Sequence, residues 1–186
     1  MNARPLIFSV ACLMCCSVVV NAQPVPAGYR QVAMEFGLPP AFLYAVALSE
    51  SGESSLGKGP FRPWPWTLNI SGKGHYFPSR REAWQALQGA LENTNGWVDI
   101  GLMQISWRYH SAALGSAWHA LDPYHNLRVA AAILRDCYIK HTNWMQSAGC
   151  YHAPNNFARA QAYASRVNQH WKKLADIEQE ASFEHP

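Results

Sequence analysis

Glu50 is the acidic side chain whose surroundings in this sequence best suit catalysis. Val46 and Phe42 lie one and two turns before it, on the same face of a predicted helix that stops at Gly52. A carboxyl group on an apolar face loses part of its hydration, which favours the protonated form that a general acid needs. The alternative is a glutamate at a frayed helix end that simply reaches water.

Two later segments place polar groups in apolar surroundings. In the first, Gly101 allows another element or a ligand to come close to the backbone, and Gln104 would need a hydrogen-bond partner if buried. We expect Asp99 to cap a short helical segment over Leu102–Trp107. In the second, Tyr151 combines a hydroxyl with a ring suited to a wet cleft. Taken separately, each segment is more typical of an ordinary protein core.

Taken together, these segments resemble the lytic transglycosylase family, which has the lysozyme-like fold and is related to goose-type lysozyme. In that family a Glu-Ser pair ends a helix, a Gly-Leu-Met-Gln motif follows, and a Tyr-Asn pair comes after small residues. The resemblance covers roughly residues 28–170. The matching segments stand in the family's order: Glu50-Ser51, Gly101 to Gln104, the helix start Asp122-Pro123 with Asn126-Leu127, and Tyr151-His152.

The resemblance implies a reaction with one carboxyl group, whereas an ordinary glycosidase uses two. Glu50 would protonate the oxygen that links N-acetylmuramic acid to N-acetylglucosamine, and its carboxylate would then take the proton of the muramoyl C6 hydroxyl. That hydroxyl attacks C1, which leaves a 1,6-anhydro end. Ser51 would orient Glu50 by a hydrogen bond, while Gln104, Tyr151 and Met103 would line the substrate cleft. No cofactor and no metal are implied.

The sequence departs from the family motif at one position, and two alternative functions remain open. His152 stands where the family has Asn, so the role of that neighbouring side chain is open. A hydrolytic muramidase is one alternative, with Asp99 as its second carboxylate. The other is a peptidoglycan-binding or secretion-assembly module without catalysis. The aromatic residues Trp64, Trp66 and Tyr76 are candidates for stacking on sugar rings.

The first 22 residues read as a secretory signal. A short basic start precedes an apolar run over residues 5–20, and small residues at Val20 and Ala22 suit cleavage after Ala22. The run is slightly short for a membrane span. A lipoprotein lipidated at Cys16 and an uncleaved anchor are the alternatives. We therefore expect residues 23–186 to form one catalytic domain, with its core at about 28–178, in the periplasm and without a stable membrane span.

The cysteine count supports this interpretation. Five cysteines are present, and cleavage would remove Cys12, Cys15 and Cys16. Cys137 and Cys150 would remain, in what look like consecutive helices within an oxidising compartment. A helix-to-helix disulfide is favoured, and two free core thiols are the alternative.

The predicted elements describe a mainly α domain with a small β-hairpin, an α+β arrangement of the lysozyme-like type. Helices are predicted at Tyr29–Phe36, from Pro39-Pro40 to Ser51, from the Ser79–Glu82 capping box to Asn93, from Asp122-Pro123 to Lys140, and from Phe157 onwards. The hairpin is predicted at Trp66–Ile70 and His75–Phe77, and another short helix near Ser111–His119.

Composition restricts the partners. With 15% charged and 12% aromatic residues the chain is not intrinsically disordered, and a net charge of +3 without a dense basic run argues against nucleic-acid binding. The histidines are scattered and show no metal-ligand spacing. We expect a monomer that acts on peptidoglycan glycan strands. The segment from Trp64 to Asn69 resembles family members encoded with conjugation or type IV secretion systems, so such a complex is the further partner implied.

Overall fold

The computed structural model describes residues 25–53 and 61–183, with side chains described up to residue 177. Eight helices and six short strands lie within these ranges. The helices are α1 (Ala27–Phe36), α2 (Pro40–Ser51), α3 (Arg80–Asn93), α4 (Trp107–Leu114), α5 (Ala117–Ala120), α6 (Pro123–His141), α7 (Trp144–His152) and α8 (Phe157–Phe183). The strands are β1 (Gly52–Glu53), β2 (Arg62–Pro63), β3 (Thr67–Ile70), β4 (Lys73–Tyr76), β5 (Val98–Ile100) and β6 (Ile105–Ser106).

Helix α2 forms the centre of the core. Nine of its 12 residues are buried, because it is apolar on every side rather than along one stripe. It packs on α8, and the ring of Phe42 lies 5.1 Å from Trp144 of α7 and 5.3 Å from Trp171 of α8. Pro40 begins the helix, where a missing N–H costs nothing. The rigid packing of α2 fixes the position of its last turn, which carries Glu50.

The sequence predicted the long helices from local signals, and these predictions are confirmed. Ser79 caps α3 by accepting from the backbone N–H of Glu82, and Asp122 caps α6 by accepting from His125. Gly37 ends α1 in the left-handed conformation. The fold class, mainly α with a small antiparallel sheet, is confirmed as well.

The sheet is larger than the predicted hairpin. Strands β3 and β4 form that hairpin, and β5 and β6 extend it in the order β4-β3-β5-β6, all antiparallel. Asp99 pairs with Asn69 on one side and Ser106 on the other. The prediction that Asp99 caps a helix is therefore wrong, because this residue belongs to a central strand.

The helical segment predicted over Leu102–Trp107 is also wrong. Residues 101–104 form a turn in which Gly101 and Gln104 have positive φ values of 78° and 47°, and neither value fits a right-handed helix. The helix starts only at Trp107. The segment predicted near Ser111–His119 is likewise two helices, α4 and α5, which are separated at Gly115 with φ 71°.

The disulfide between Cys137 and Cys150 is confirmed and joins α6 to α7, with 6.0 Å between the Cα atoms. The predicted signal, residues 1–22, lies outside the described residues. Within the described ranges no single helix is long and apolar enough to cross a bilayer. In the part of the chain that the structure describes, α1 and α2 taken together have the length and composition of a span, and they are bent by 115° relative to each other.

Candidate active site

Glu50 lies in the last turn of α2 and faces a cleft of about 730 Å³. Its side chain is only 9% exposed, as the apolar face of α2 predicts. Gly52 follows the helix directly, and only glycine fits there because a side chain would meet the ring of Phe61 and the carbonyl of Leu48. The acid therefore stands at a helix end, where it is largely shielded from water but open to a ligand in the cleft.

Ser51 ties this helix end to the turn at residues 101–104. Its hydroxyl, fully buried, donates to the carbonyl of Leu102 at 2.6 Å. The family resemblance implied a hydrogen bond from Ser51 to Glu50, and the structure differs, because the strong bond goes to Leu102. Ser51 thus places Glu50 indirectly, by fixing the backbone that carries it.

Asn126 of α6 fixes the turn at residues 101–104 by hydrogen bonds. Its carboxamide, 0% exposed, accepts from the backbone N–H of Met103 at 2.9 Å and donates to the carbonyls of Ile100 and Ala120 at 3.0 Å each. A side chain at Gly101 would lie 2.8 Å from the same carboxamide, so only glycine fits there. The Gly-Leu-Met-Gln segment is therefore a support for the cleft floor rather than a helix.

The turn residues occupy two different places. The side chain of Met103 is 0% exposed and does not line the cleft of the unliganded structure, where we expected it among the lining residues. Gln104 lines the cleft, where its amide donates to the carbonyls of Gly101 at 2.8 Å and Thr67 at 3.2 Å. These bonds satisfy its donors and fix the amide, whose oxygen is an acceptor.

Tyr151 of α7 also contacts this turn. Its hydroxyl donates to the carbonyl of Met103 at 2.7 Å. Burial, followed by the negative charges of Glu50 and Asp99, raises the pKa of Tyr151 well above its ordinary value. The phenol therefore stays protonated, and its position ties α7 to the turn and to the end of α2.

His152 also lines the cleft, and its side chain faces the Glu50 carboxylate. Its Nδ1 lies 3.6 Å from the Glu50 carboxylate oxygen Oε1, which is an ion-pair distance longer than a hydrogen bond. The imidazole stacks on Tyr163 of α8 with 4.2 Å between the ring centres and an interplanar angle of 4°. This stacking holds the ring plane and thereby directs Nδ1 at Glu50.

Tyr163 is a neighbour of Glu50 that the sequence did not reveal. We expected it only in the buried stripe of α8, and it is indeed 1% exposed. Its hydroxyl has no hydrogen-bond partner of normal geometry among the described residues. Burial, and then the adjacent Glu50, raises the pKa of Tyr163 well above its ordinary value. A buried phenol beside an acid is thus a donor held ready for the ionised form of Glu50.

Asp99 is the second acid of the cleft. It lies on β5 and accepts from the Asn69 amide at 3.2 Å. Burial, and then the charge of Glu50, raises the pKa of Asp99, while Ser106, His152 and Asn69 partly oppose the increase. Two carboxyl groups that act on each other across one cleft give the site more than one acid–base arrangement.

The aromatic residues that line the cleft are not those expected. Trp64, Trp66 and Tyr76 lie outside its lining, and the Trp64 indole donates to the carbonyl of Phe77 at 2.7 Å. Trp97 and Tyr109 line it instead. No periodic pattern marks either residue, so only the folded chain reveals them. Among the described residues no group of three or more histidine, cysteine or acidic side chains could hold a metal ion.

A family model described as the transglycosylase SLT domain matches residues 29–174. This range contains every residue of the cleft named above. No curated protein and no solved structure matches the chain.

Proposed function

Because the chain belongs to the transglycosylase SLT family, we propose that it cleaves the β-1,4 bond between N-acetylmuramic acid and N-acetylglucosamine and leaves 1,6-anhydro ends. The enzyme class, lytic transglycosylase, and the substrate, peptidoglycan, follow from the family. The finer statement rests mainly on Glu50, an acid with a 9% exposed side chain that opens into the cleft beside Tyr151 and His152.

In the proposed mechanism Glu50 acts twice. It first gives its proton to the glycosidic oxygen, and the bond from that oxygen to C1 of the muramoyl sugar breaks. The C6 hydroxyl of the same sugar then forms a bond to C1, and the Glu50 carboxylate accepts the hydroxyl proton. No water is consumed, and Glu50 returns to its starting form.

The neighbours of Glu50 would stabilise the intermediate state, in which it carries a negative charge. His152 faces the carboxylate at 3.6 Å, and such distances commonly shorten when substrate fills a site. The Tyr163 hydroxyl is adjacent to Glu50 and has no hydrogen-bond partner of normal geometry among the described residues, so it is a second donor. Hydrogen bonds donated by these two side chains would favour the ionised form of Glu50.

Hydrolysis is the second candidate, because Asp99 shares the cleft with Glu50. In a muramidase Asp99 would act as the second carboxylate. Mass spectrometry of products from purified peptidoglycan separates the two, since a 1,6-anhydro product is lighter than its hydrolysed counterpart by one water. We expect anhydro ends from the wild type and from Asp99→Asn alike. Reducing ends from the wild type, lost in Asp99→Asn, would contradict the transglycosylase mechanism.

We further propose that the protein acts in the periplasm, in local wall remodelling by a secretion or conjugation apparatus. The apolar N-terminal run and the Cys137–Cys150 disulfide support export, because disulfides persist in oxidising compartments. The segment from Trp64 to Asn69 supports the apparatus only by resemblance. A fusion to a reporter that is active only after export tests the location, and an inactive reporter would contradict it.

A further inference from the structure

Two large aromatic side chains line the cleft and yet remain exposed. Trp97 is 52% exposed and Tyr109 is 69% exposed. Exposed aromatic surface is costly in water, and two such rings side by side in a cleft are typical of a binding surface. Among the described residues neither ring is stacked on or hydrogen-bonded to Glu50, Tyr151 or His152. The pair therefore lines the same cleft as the acid but makes its ring contacts with other residues.

The backbone presents these rings rigidly. Trp97 follows a turn in which Asn95 and Gly96 have positive φ values of 51° and 82°, and β5 begins directly after it. The turn packs against the start of α4, since a side chain at Gly96 would lie 3.5 Å from the Trp107 ring and 3.8 Å from the Cα of Arg108. Tyr109 is the next residue, in the first turn of α4.

The side chains then fix each other. The rings of Trp97 and Tyr109 are perpendicular, with 6.4 Å between their centres. The Arg108 guanidinium lies 4.5 Å from the centre of the Trp97 ring. Since this cation covers one face of the indole and holds its plane, the remaining exposed surface of Trp97, together with Tyr109, forms a fixed apolar corner.

We propose that Trp97 and Tyr109 form a sugar-binding subsite that stacks on a pyranose ring of the glycan strand, away from the bond that is cleaved. A pyranose offers an apolar face of C–H groups and a polar rim, and an aromatic corner in a wet cleft matches both. The proposal rests on peptidoglycan as the substrate. Contacts with Trp97 and Tyr109 would then determine how long a glycan strand the enzyme requires.

Trp118 offers a matched control. It is 42% exposed, lies perpendicular to Trp84 with 5.8 Å between the rings, and has the Arg80 guanidinium 4.2 Å from its ring centre. It therefore repeats the local arrangement of Trp97, but it does not line the cleft. Any general effect of removing a half-exposed indole should appear equally in both variants.

The test compares Trp97→Ala, Tyr109→Ala, Trp97→Phe and Trp118→Ala on soluble glycan strands of defined lengths. We expect kcat/KM on long strands to fall about tenfold in each cleft alanine variant, the size of an aromatic stacking contribution. The shortest strands cleaved should be unaffected, and Trp97→Phe should retain most of the activity because it keeps a ring.

The proposal fails if Trp97→Ala matches Trp118→Ala at every length, or if its loss is the same on short and long strands. Binding of long strands to Glu50→Gln, with and without Trp97→Ala, gives a readout that does not need turnover. If Glu50→Gln cleaves like the wild type, the proposed mechanism fails instead. The two failures are thus distinguishable.

Discussion

At the scale of single residues, the proposed catalysis depends on the side chains that surround Glu50. The sequence revealed Glu50, Gln104 and Tyr151, because a motif and an apolar helix face mark them. It did not reveal Tyr163 or Trp97, since one looks like core and the other like surface until the chain is folded. The residues around this acid come from α2, β5, α7 and α8, and only the tertiary fold brings them together.

His152 should act on Glu50 through its nitrogen and not through its ring surface. His152→Phe keeps the ring that stacks on Tyr163 but removes the donor, whereas His152→Asn keeps a donor without the ring. A hydrogen bond to a charged group contributes about 1.5–3 kcal/mol, so kcat should fall tenfold or more in the Phe variant and only a few-fold in the Asn variant. KM should change little in either. An active Phe variant would show that packing alone matters.

Asp99 should destabilise the fold as pH rises. In the folded protein the pKa of Asp99 is raised above its ordinary value of 3.8. The folded state therefore holds the carboxyl proton more tightly than the unfolded state does. Stability is therefore greatest below the unfolded value and is lost as pH rises from about 3.8 through the folded value. Asp99→Asn should raise the melting temperature at pH 7 and much less at pH 4. Asp136→Asn, which removes an acid at an exposed position, is the control against which the gain of Asp99→Asn is measured. An equal gain at both pH values would contradict the assignment.

At the scale of elements, local signals predicted the helices but not the strands next to the site. Ser79, Asp122 and the two prolines mark helix starts by their own chemistry, so no distant contact is needed to place them. The mixed apolar pattern of residues 102–107 predicts a helix with Asp99 as its cap, whereas residues 98–106 form β5, a turn and β6. Their actual conformation depends on pairing with β3 and on the Asn126 carboxamide, and both lie far away along the chain.

Asn126 should be essential to the turn at residues 101–104. Asn126→Ala leaves the N–H of Met103 and the carbonyls of Ile100 and Ala120 without their partner, at a cost of about 3 kcal/mol or more in the free energy of unfolding. Urea denaturation measures this loss. Asn93→Ala is the control, since the Asn93 amide bonds to the carbonyl of Gly89 on the exposed side of α3. Equal stability of the two variants would contradict the role given to Asn126.

At the scale of the whole molecule, the helices behave as a scaffold that brings α2, β5 and α7 to one cleft. The disulfide between Cys137 and Cys150 is part of this scaffold because α7 carries Tyr151 and His152 at its end. It also restricts the unfolded chain, and a loop of this size contributes about 3 kcal/mol in the chain-entropy model.

Replacing both cysteines by serine should lower the free energy of unfolding by about this amount. At 25 °C the folded fraction should retain activity, since the bond from Tyr151 to Met103 still fixes the end of α7. Urea denaturation combined with an activity assay checks both statements. A fully stable double variant, or a stable one without activity, would contradict them.

The most direct test of the central claim is the rate at which 1,6-anhydro ends form from purified peptidoglycan with the wild type and with Glu50→Gln. The glutamine keeps the size of the side chain but can neither give nor take the proton, so the protein should remain folded and bind glycan strands. We expect anhydro ends from the wild type and a loss of at least a thousandfold, on the order of the general acid–base contribution, in the variant. Anhydro ends formed by Glu50→Gln at the wild-type rate would contradict the central claim.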